Sequence, residues 1–167
     1  MKTIHDTRWE LGETIKELHC LYDISTLLSQ RSLRTAALLK QIVMIIPTAW
    51  QFLERTCARI SYGGREYRSR NYSPGCRSLT ETIELKTRKC GFVEVAYLDD
   101  GSHDSRTVFL EDEKKLLKAI AGLLGSIIEK KEAEMVLKRT TDELRKQTVE
   151  LDNKNIALRE IVSQIGL

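Results

Sequence analysis

An unbroken heptad repeat fills the last third of the 167-residue chain and restricts what the chain can fold into. All d positions except Lys130 are apolar; they are Leu116, Leu123, Lys130, Leu137, Leu144, Leu151, Leu158 and Ile165. The a positions are Ile120, Ile127, Glu134, Thr141, Thr148, Asn155 and Val162. Since no proline or aromatic residue follows Phe109, the pattern predicts one helix over residues 110–165, roughly 80–85 Å long. We expect its second half to project, because so small a core cannot cover it.

The second half of this helix is predicted to form a parallel two-stranded coiled coil between two copies of the chain. Leucine occupies the d positions, and the lone Asn155 at an a position is best satisfied by its mate across the dimer axis. The predicted dimerisation residues are Leu137, Leu144, Leu151, Asn155, Leu158, Val162 and Ile165. The alternative is a solvated single helix. Over residues 116–128 an amphipathic helix packed on its own domain is favoured, because Leu117 and Leu124 widen the stripe.

Charged residues interrupt the repeat between these two segments. Lys130 at d and Glu134 at a would loosen a coiled coil, or mark a phase shift that uses Ile128 and Met135. A weak stretch between two stable ones is a plausible place to bias a signal, so Ile127, Lys130 and Glu134 are the predicted signal-transmission residues. The alternative is that the charges are merely tolerated.

Two shorter helices are predicted near the N-terminus. Leu11, Ile15, Leu18 and Tyr22 recur at helical spacing and predict a helix over residues 8–30, with a stripe that Leu21, Leu27 and Leu28 widen. A second apolar face predicts a helix over residues 33–46. Pro47 ends it, because proline has no N–H to donate.

The middle of the chain alternates with the period of strands, over residues 56–62, 66–72, 79–86 and 92–98. Gly63 and Gly64 predict a two-residue hairpin turn, and residues 88–91 predict another reversal. The last strand is the most apolar, which suits a central position. Strands bracketed by helices predict an α/β protein of the α+β kind.

Composition and charge argue against several classes of protein. A net charge of +3 is too small for a strongly cationic nucleic-acid binder. The longest apolar run, residues 42–47, is too short to span a membrane, and the N-terminus lacks the apolar segment of a secretory signal. Four widely spaced cysteines suit a reducing compartment, so we expect a cytoplasmic protein. A basic excess over residues 64–90 suits an anion or nucleotide site or, as the favoured interpretation, a solvated sheet edge.

Neither a metal site nor a catalytic site is expected. His5, His19 and His103 are scattered, and no recognised ligand spacing surrounds them. Cys57 and Cys90 lie in or beside strands and are interpreted as small buried apolar residues. Glu111, Asp112 and Glu113 open the long helix, where carboxylates meet the positive end of the helix dipole. The motifs of Ser hydrolases, nucleotide-binding loops and zinc proteases do not occur.

The order of these elements and phrases resembles a GAF domain of bacterial signalling proteins. The matching phrases are residues 21–25 and 45–50 on the helices, 56–60 and 91–98 on strands, and 109–113 at the start of the closing helix. Residues 151–160 look like the helices that join such sensors to an output module. The resemblance implies a central antiparallel sheet with helices on one face and, where present, a ligand pocket on the other. The insert that often walls this pocket is reduced here to residues 73–77.

The resemblance implies a sensory or regulatory module of a two-component signalling protein, with a sensory domain over 1–128 and a coiled-coil signalling helix over 129–167. The implied partners are a second copy of the chain, a small-molecule ligand and an output kinase or regulator module; ligand-binding residues and cofactors stay unassigned. No phosphoacceptor box or kinase core occurs, so we expect no enzyme. The alternatives are a ligand-free dimerisation module and a GAF-fold methionine sulfoxide reductase, which needs an exposed thiol among Cys57, Cys76 and Cys90.

Overall fold

The computed structural model describes residues 4–30, 33–74, 77–98 and 109–166, with only the backbone at residues 4–6. Cys76, His103 and the side chain of His5 therefore lie outside the described residues. The chain packs as two units, Met1–Ile128 and Glu129–Leu167, which are described separately below. It is an α+β protein with a four-stranded antiparallel sheet and a long C-terminal helix.

The helices form where the apolar spacing predicts them. Helix α1 covers Ile4–Ser29, and α2 covers Thr35–Ile45. Short 3₁₀ helices follow at Ile46–Ala49 and Leu53–Arg55. Pro47 lies at the start of the first 3₁₀ helix, where its missing N–H interrupts the α-helical ladder, as predicted. Helix α3 runs without interruption over Glu111–Ile165.

The sheet contains four strands, β1 (Thr56–Tyr62), β2 (Arg65–Arg68), β3 (Ser78–Glu84) and β4 (Lys89–Tyr97). Their order is β2-β1-β4-β3, and every neighbouring pair is antiparallel. The apolar strand β4 therefore has a neighbour on each side, which confirms its predicted central position. Gly63 and Gly64 join β1 to β2 with φ values of 58° and 75°. Both angles are left-handed, so glycine permits the tight hairpin turn that the sequence predicts.

Two strand boundaries differ from the prediction. Strand β2 ends at Arg68, because the Ser69 hydroxyl takes the place of a backbone acceptor and receives the N–H of Ala58 at 3.0 Å. The second reversal lies at residues 85–88, where the Leu85 N–H donates to the Arg88 carbonyl at 2.8 Å. The predicted turn over residues 88–91 is wrong, since β4 has already begun at Lys89.

One hydrophobic core joins the helices to one face of the sheet. Ile60, Ile83, Val93 and Val95 alternate toward this core from three strands. The fully buried residues of the α-helices include Ile24, Leu38, Leu39, Ile42, Leu117, Ile120, Leu124 and Ile128. Helix α3 approaches β3 at Gly125, where a Cβ atom would lie only 2.3 Å from the Glu84 carbonyl oxygen. The absence of a side chain at Gly125 therefore permits this close packing.

Helix α1 packs through a different face from the predicted stripe. Its Cys20 and Ile24 are buried, and Leu21, Leu27 and Leu28 pack beside them. The stripe of Leu11, Ile15, Leu18 and Tyr22, here called the α1 stripe, is 46–70% exposed. Leu21, Leu27 and Leu28 thus belong to the packed face and do not widen the stripe. No helix in the described ranges is long and apolar enough to cross a membrane.

Candidate dimerisation surface and the base of helix α3

An apolar seam lies uncovered along the second unit. The predicted dimerisation residues, here called the tail seam, are Leu137, Leu144, Leu151, Asn155, Leu158, Val162 and Ile165. Each apolar member is at least 57% exposed, and Asn155 is exposed as well. Water meets a continuous row of leucines at heptad spacing, which is unfavourable by roughly 25 cal/mol per Å² of apolar area. A second apolar surface would relieve this cost.

The polar a positions of the tail are compatible with a buried seam. The hydroxyl of Thr141 donates to the Leu137 carbonyl at 2.9 Å, and that of Thr148 donates to the Leu144 carbonyl at 2.9 Å. These hydroxyls are satisfied within their own helix, so their methyl groups can face a partner without an unpaired donor. Among the polar residues at a positions of this segment, Asn155 is then the one whose side chain would be satisfied by a partner on another helix.

The charges beside the tail seam do not favour the parallel orientation. In a parallel pair each g residue faces the e residue five positions later on the partner. These pairs are Thr140 with Arg145, Gln147 with Asp152, and Lys154 with Arg159. None joins opposite charges, and Lys154 with Arg159 joins two positive charges, although Lys154 is also paired with Glu150 of its own helix at 2.7 Å. The orientation of a dimer therefore depends on Asn155.

The same heptad frame is buried in the first unit. Leu116, Ile120 and Ile127 lie in the core, together with Leu117 and Leu124 at the adjoining e positions. This is the wide stripe of a helix packed on its own domain, as the sequence predicts for residues 116–128. The heptad repeat of α3 thus contributes to the core of the first unit over residues 116–128 and forms an exposed apolar seam over residues 137–165.

The predicted signal-transmission residues have contrasting environments. Ile127 is 8% exposed, whereas Lys130 and Glu134 are exposed. Glu134 lies 3.9 Å from Lys131 on the same helix. The alternative is a phase shift of the heptad repeat that uses Ile128 and Met135. These two residues do not form a continuous exposed apolar stripe, because Ile128 is buried while Met135 is half exposed.

A buried carboxylate anchors the first turn of α3, and the sequence interpretation missed this role. Glu113 is 3% exposed. Its Oε1 accepts the Tyr97 hydroxyl at 2.7 Å and the Gln51 N–H at 3.3 Å, and its Oε2 accepts the Leu110 N–H at 2.8 Å. The Leu110 contact is half of a capping box, a pattern that a Glu three residues into the helix could have signalled. The contacts to Tyr97 and Gln51 are tertiary and leave no local pattern.

Aromatic rings enclose this carboxylate anchor. The Tyr97 ring stacks on Phe109 with centroids 4.7 Å apart and meets Phe52 edge-on at 5.6 Å. Burial, followed by the hydrogen bond to Glu113, raises the pKa of Tyr97 well above its ordinary value of 10. The end of β4 and the start of α3 are thereby joined through a protonated phenol and a carboxylate.

The opposite face of the sheet carries a charged and aromatic cluster. Arg59 on β1 forms ion pairs with Glu94 at 2.6 Å and Glu66 at 3.0 Å. Its guanidinium lies 5.0 Å from the Phe92 ring centre and 5.6 Å from that of Tyr72. These contacts join three strands across the face on which the family resemblance places a ligand pocket.

The basic excess of residues 64–90 follows the edges of the sheet. Strand β2 is an edge strand, and its Arg65 and Arg68 are exposed, with Arg68 paired to Glu66. Arg70, Arg77, Lys86 and Arg88 are exposed as well. This placement favours the solvated edge, since charge on an edge strand discourages pairing with another sheet.

Two of the described cysteines, Cys57 and Cys90, lie far apart on the sheet. Cys57 is fully buried, and Cys90 is partly buried in a bulge where Ile83 pairs with Gly91 but Glu84 pairs with Lys89. The thiol of Cys90 donates to the Ile83 carbonyl at 3.5 Å. Cys57 pairs with Ala96, six residues beyond Cys90 along β4, so the two lie roughly 20 Å apart. This separation is too long for a disulfide.

Among the described residues, no group of three or more His, Cys, Asp or Glu side chains is placed to hold a metal ion. Comparison with family models, curated proteins and solved structures found no match to this chain.

Proposed function

We propose that the chain is a GAF-type sensory module that forms a parallel homodimer through the tail seam and passes a conformational signal along α3 to an output module. The observation that carries this proposal is one helix with two environments. Its heptad frame is buried in the sheet domain over residues 116–128 and is exposed over residues 137–165. The antiparallel sheet with helices on one face supports the resemblance to the GAF fold.

The carboxylate anchor supplies a route for the signal. Glu113 lies in the first turn of α3 and is bonded to Tyr97, the last residue of β4. A ligand or partner that displaces the end of β4 would change the hydrogen bonding of Glu113, and with it the stability of the first turn of α3. Lys130 and Glu134 are the charged positions of the heptad repeat just before the tail seam, so we infer that a change in the first turn of α3 alters the pairing of the two tails there.

The test of the dimer uses matched substitutions on the exposed tail. Leu151 and Val149 are both 60% exposed apolar residues, but only Leu151 belongs to the tail seam. Leu151→Glu places two carboxylates against each other in the pair and is expected to convert the protein to a monomer by sedimentation. Val149→Glu is expected to leave the dimer intact. A monomeric wild type, or a dimer that survives Leu151→Glu, would contradict the proposal.

A ligand-free dimerisation module rests on the same seam and differs in the role of the sheet domain. A thermal-shift screen of metabolites separates the two hypotheses, because a ligand of the folded state raises the midpoint of unfolding by mass action. Cys57 is buried and lies far from Cys90. These two observations do not favour the sulfoxide reductase hypothesis.

A further inference from the structure

The N-terminal helix has two apolar faces, and the core uses only one of them. Cys20 and Ile24 mark the packed face, and the α1 stripe of Leu11, Ile15, Leu18 and Tyr22 marks the other. At about 100° per residue the centres of these two groups lie roughly 170° apart around the helix. The stripe therefore points away from the domain to which α1 belongs. Four large apolar side chains in one exposed row are more than scattered surface residues.

The spacing of the α1 stripe is that of a coiled-coil seam. The intervals of four, three and four residues place Leu11 and Leu18 at d and Ile15 and Tyr22 at a. Leucine at both d positions, combined with the β-branched Ile15 at one of the two a positions, favours two parallel strands. The stripe is thus complementary to a second copy of itself in the same direction.

Within residues 11–22 the side chains that border the stripe include no Lys, Arg, Asp or Glu. The e and g positions are Gly12, Thr14, His19 and Leu21. The charged residues of the same stretch lie at b, c and f, where Lys16 is paired with Glu13 at 2.7 Å. A second copy could approach without opposing like charges, whereas an anionic lipid surface would find no basic border.

We propose that the α1 stripe pairs in parallel with the α1 stripe of a second copy, as a second contact of the homodimer. The stripe spans only about 17 Å, and four side chains per copy bury less area than the roughly 1,000 Å² of a stable interface. Pairing of α1 alone is therefore weak. The inference rests on the proposed function in this respect, because a tail dimer raises the effective concentration of one α1 for the other.

This contact would make the association of the sensory domains separable from that of the tails. The tail seam would hold the two chains together, while the weaker α1 contact forms or breaks without dissociating them. A signal that changes the packing of α1 on its own domain would then alter the dimer near the domain.

The test uses cysteine cross-linking in the full chain. Leu18→Cys introduces a thiol at a d position, where two parallel helices bring equivalent side chains together. Lys16→Cys is the matched control, because Lys16 lies on the same turn, is 44% exposed and belongs to position b. We expect Leu18→Cys to form a covalent dimer at least tenfold faster than Lys16→Cys, with the wild-type chain giving the background of the native thiols. Equal rates would overturn the inference, and equal rates are also expected if the stripe covers a foreign partner or a lipid surface.

A second measurement separates failure of this inference from failure of the tail dimer. Ile15→Gln is expected to raise the dimer dissociation constant several-fold in sedimentation, while Lys16→Gln leaves it unchanged. If Leu151→Glu abolishes the dimer but Leu18→Cys cross-links at the control rate, the tail proposal stands and the α1 contact is wrong. If Leu151→Glu leaves a dimer and Leu18→Cys cross-links selectively, the α1 contact exists, but the tail proposal and the dependence of the α1 contact on the tail are both wrong.

Discussion

Tyr97 is the residue whose side chain most directly joins the sheet to α3. Its hydroxyl donates to the buried Glu113 at 2.7 Å, so Tyr97→Phe removes a hydrogen bond to a charged acceptor. Bonds of this kind contribute about 1.5–3 kcal/mol. We expect Tyr97→Phe to lower the free energy of unfolding by this amount, as measured by chemical denaturation. Tyr72→Phe is a suitable control, because the Tyr72 hydroxyl lies 3.5 Å from Glu94 at the limit of hydrogen bonding. An equal loss in both variants would contradict the special role of Tyr97.

The raised pKa of Tyr97 makes the difference in unfolding free energy between wild type and Tyr97→Phe depend on pH. The folded protein keeps the phenol protonated, whereas the unfolded chain ionises near its ordinary pKa of 10. The stabilisation by Tyr97 is therefore complete below about pH 10 and declines as the pH rises above it. We expect the difference in stability between wild type and Tyr97→Phe to narrow by about 1 kcal/mol between pH 10 and 11. A difference that stayed constant over this range would indicate that the phenol is not held in its protonated form.

Helix α3 is the element in which small residues decide the packing. Gly125→Ala is expected to destabilise the sheet domain by about 1–3 kcal/mol, because the added Cβ meets the Glu84 carbonyl oxygen at 2.3 Å. Gly122 is the matched control on the same helix, since a Cβ there meets nothing within 4 Å. Gly122→Ala should therefore stabilise by about 0.5–1 kcal/mol through helix propensity. Stabilisation by both changes would contradict the close approach of α3 to β3.

In the proposed dimer, the orientation and register of the tails depend on one polar residue, Asn155. Asn155→Ile removes a buried polar group from the paired seam, so we expect a higher midpoint of thermal unfolding for the coiled coil. The same change removes the residue that selects orientation and register, so species other than the parallel dimer should appear in sedimentation. Asn153→Ile, at an f position, is expected to change neither property. A uniform parallel dimer with Asn155→Ile would show that other residues select the orientation.

Sequence signals that act over a few residues predicted the end of a helix and a turn between strands well. Pro47, Gly63 and Gly64 act on the backbone within a few residues, and the structure confirms the helix end and the hairpin turn that they predict. The reversal between β3 and β4 was predicted too late, at residues 88–91, a segment that ends in Gly91. In the sheet Gly91 pairs with Tyr62, and its bare Cα lets the backbones of β1 and β4 meet closely.

The amino-acid sequence by itself determined the helices, the strands and the uncovered heptad seam of the tail, because these depend on spacing along one element. The tertiary structure alone decided which apolar face is buried when an element has more than one. On α1 the regular stripe of Leu11, Ile15, Leu18 and Tyr22 stays exposed, whereas the face of Cys20 and Ile24 is buried. The shape of the neighbouring core selects the face that fits. It also decided the role of Glu113, whose partner Tyr97 is 16 residues away, a contact that no local period records.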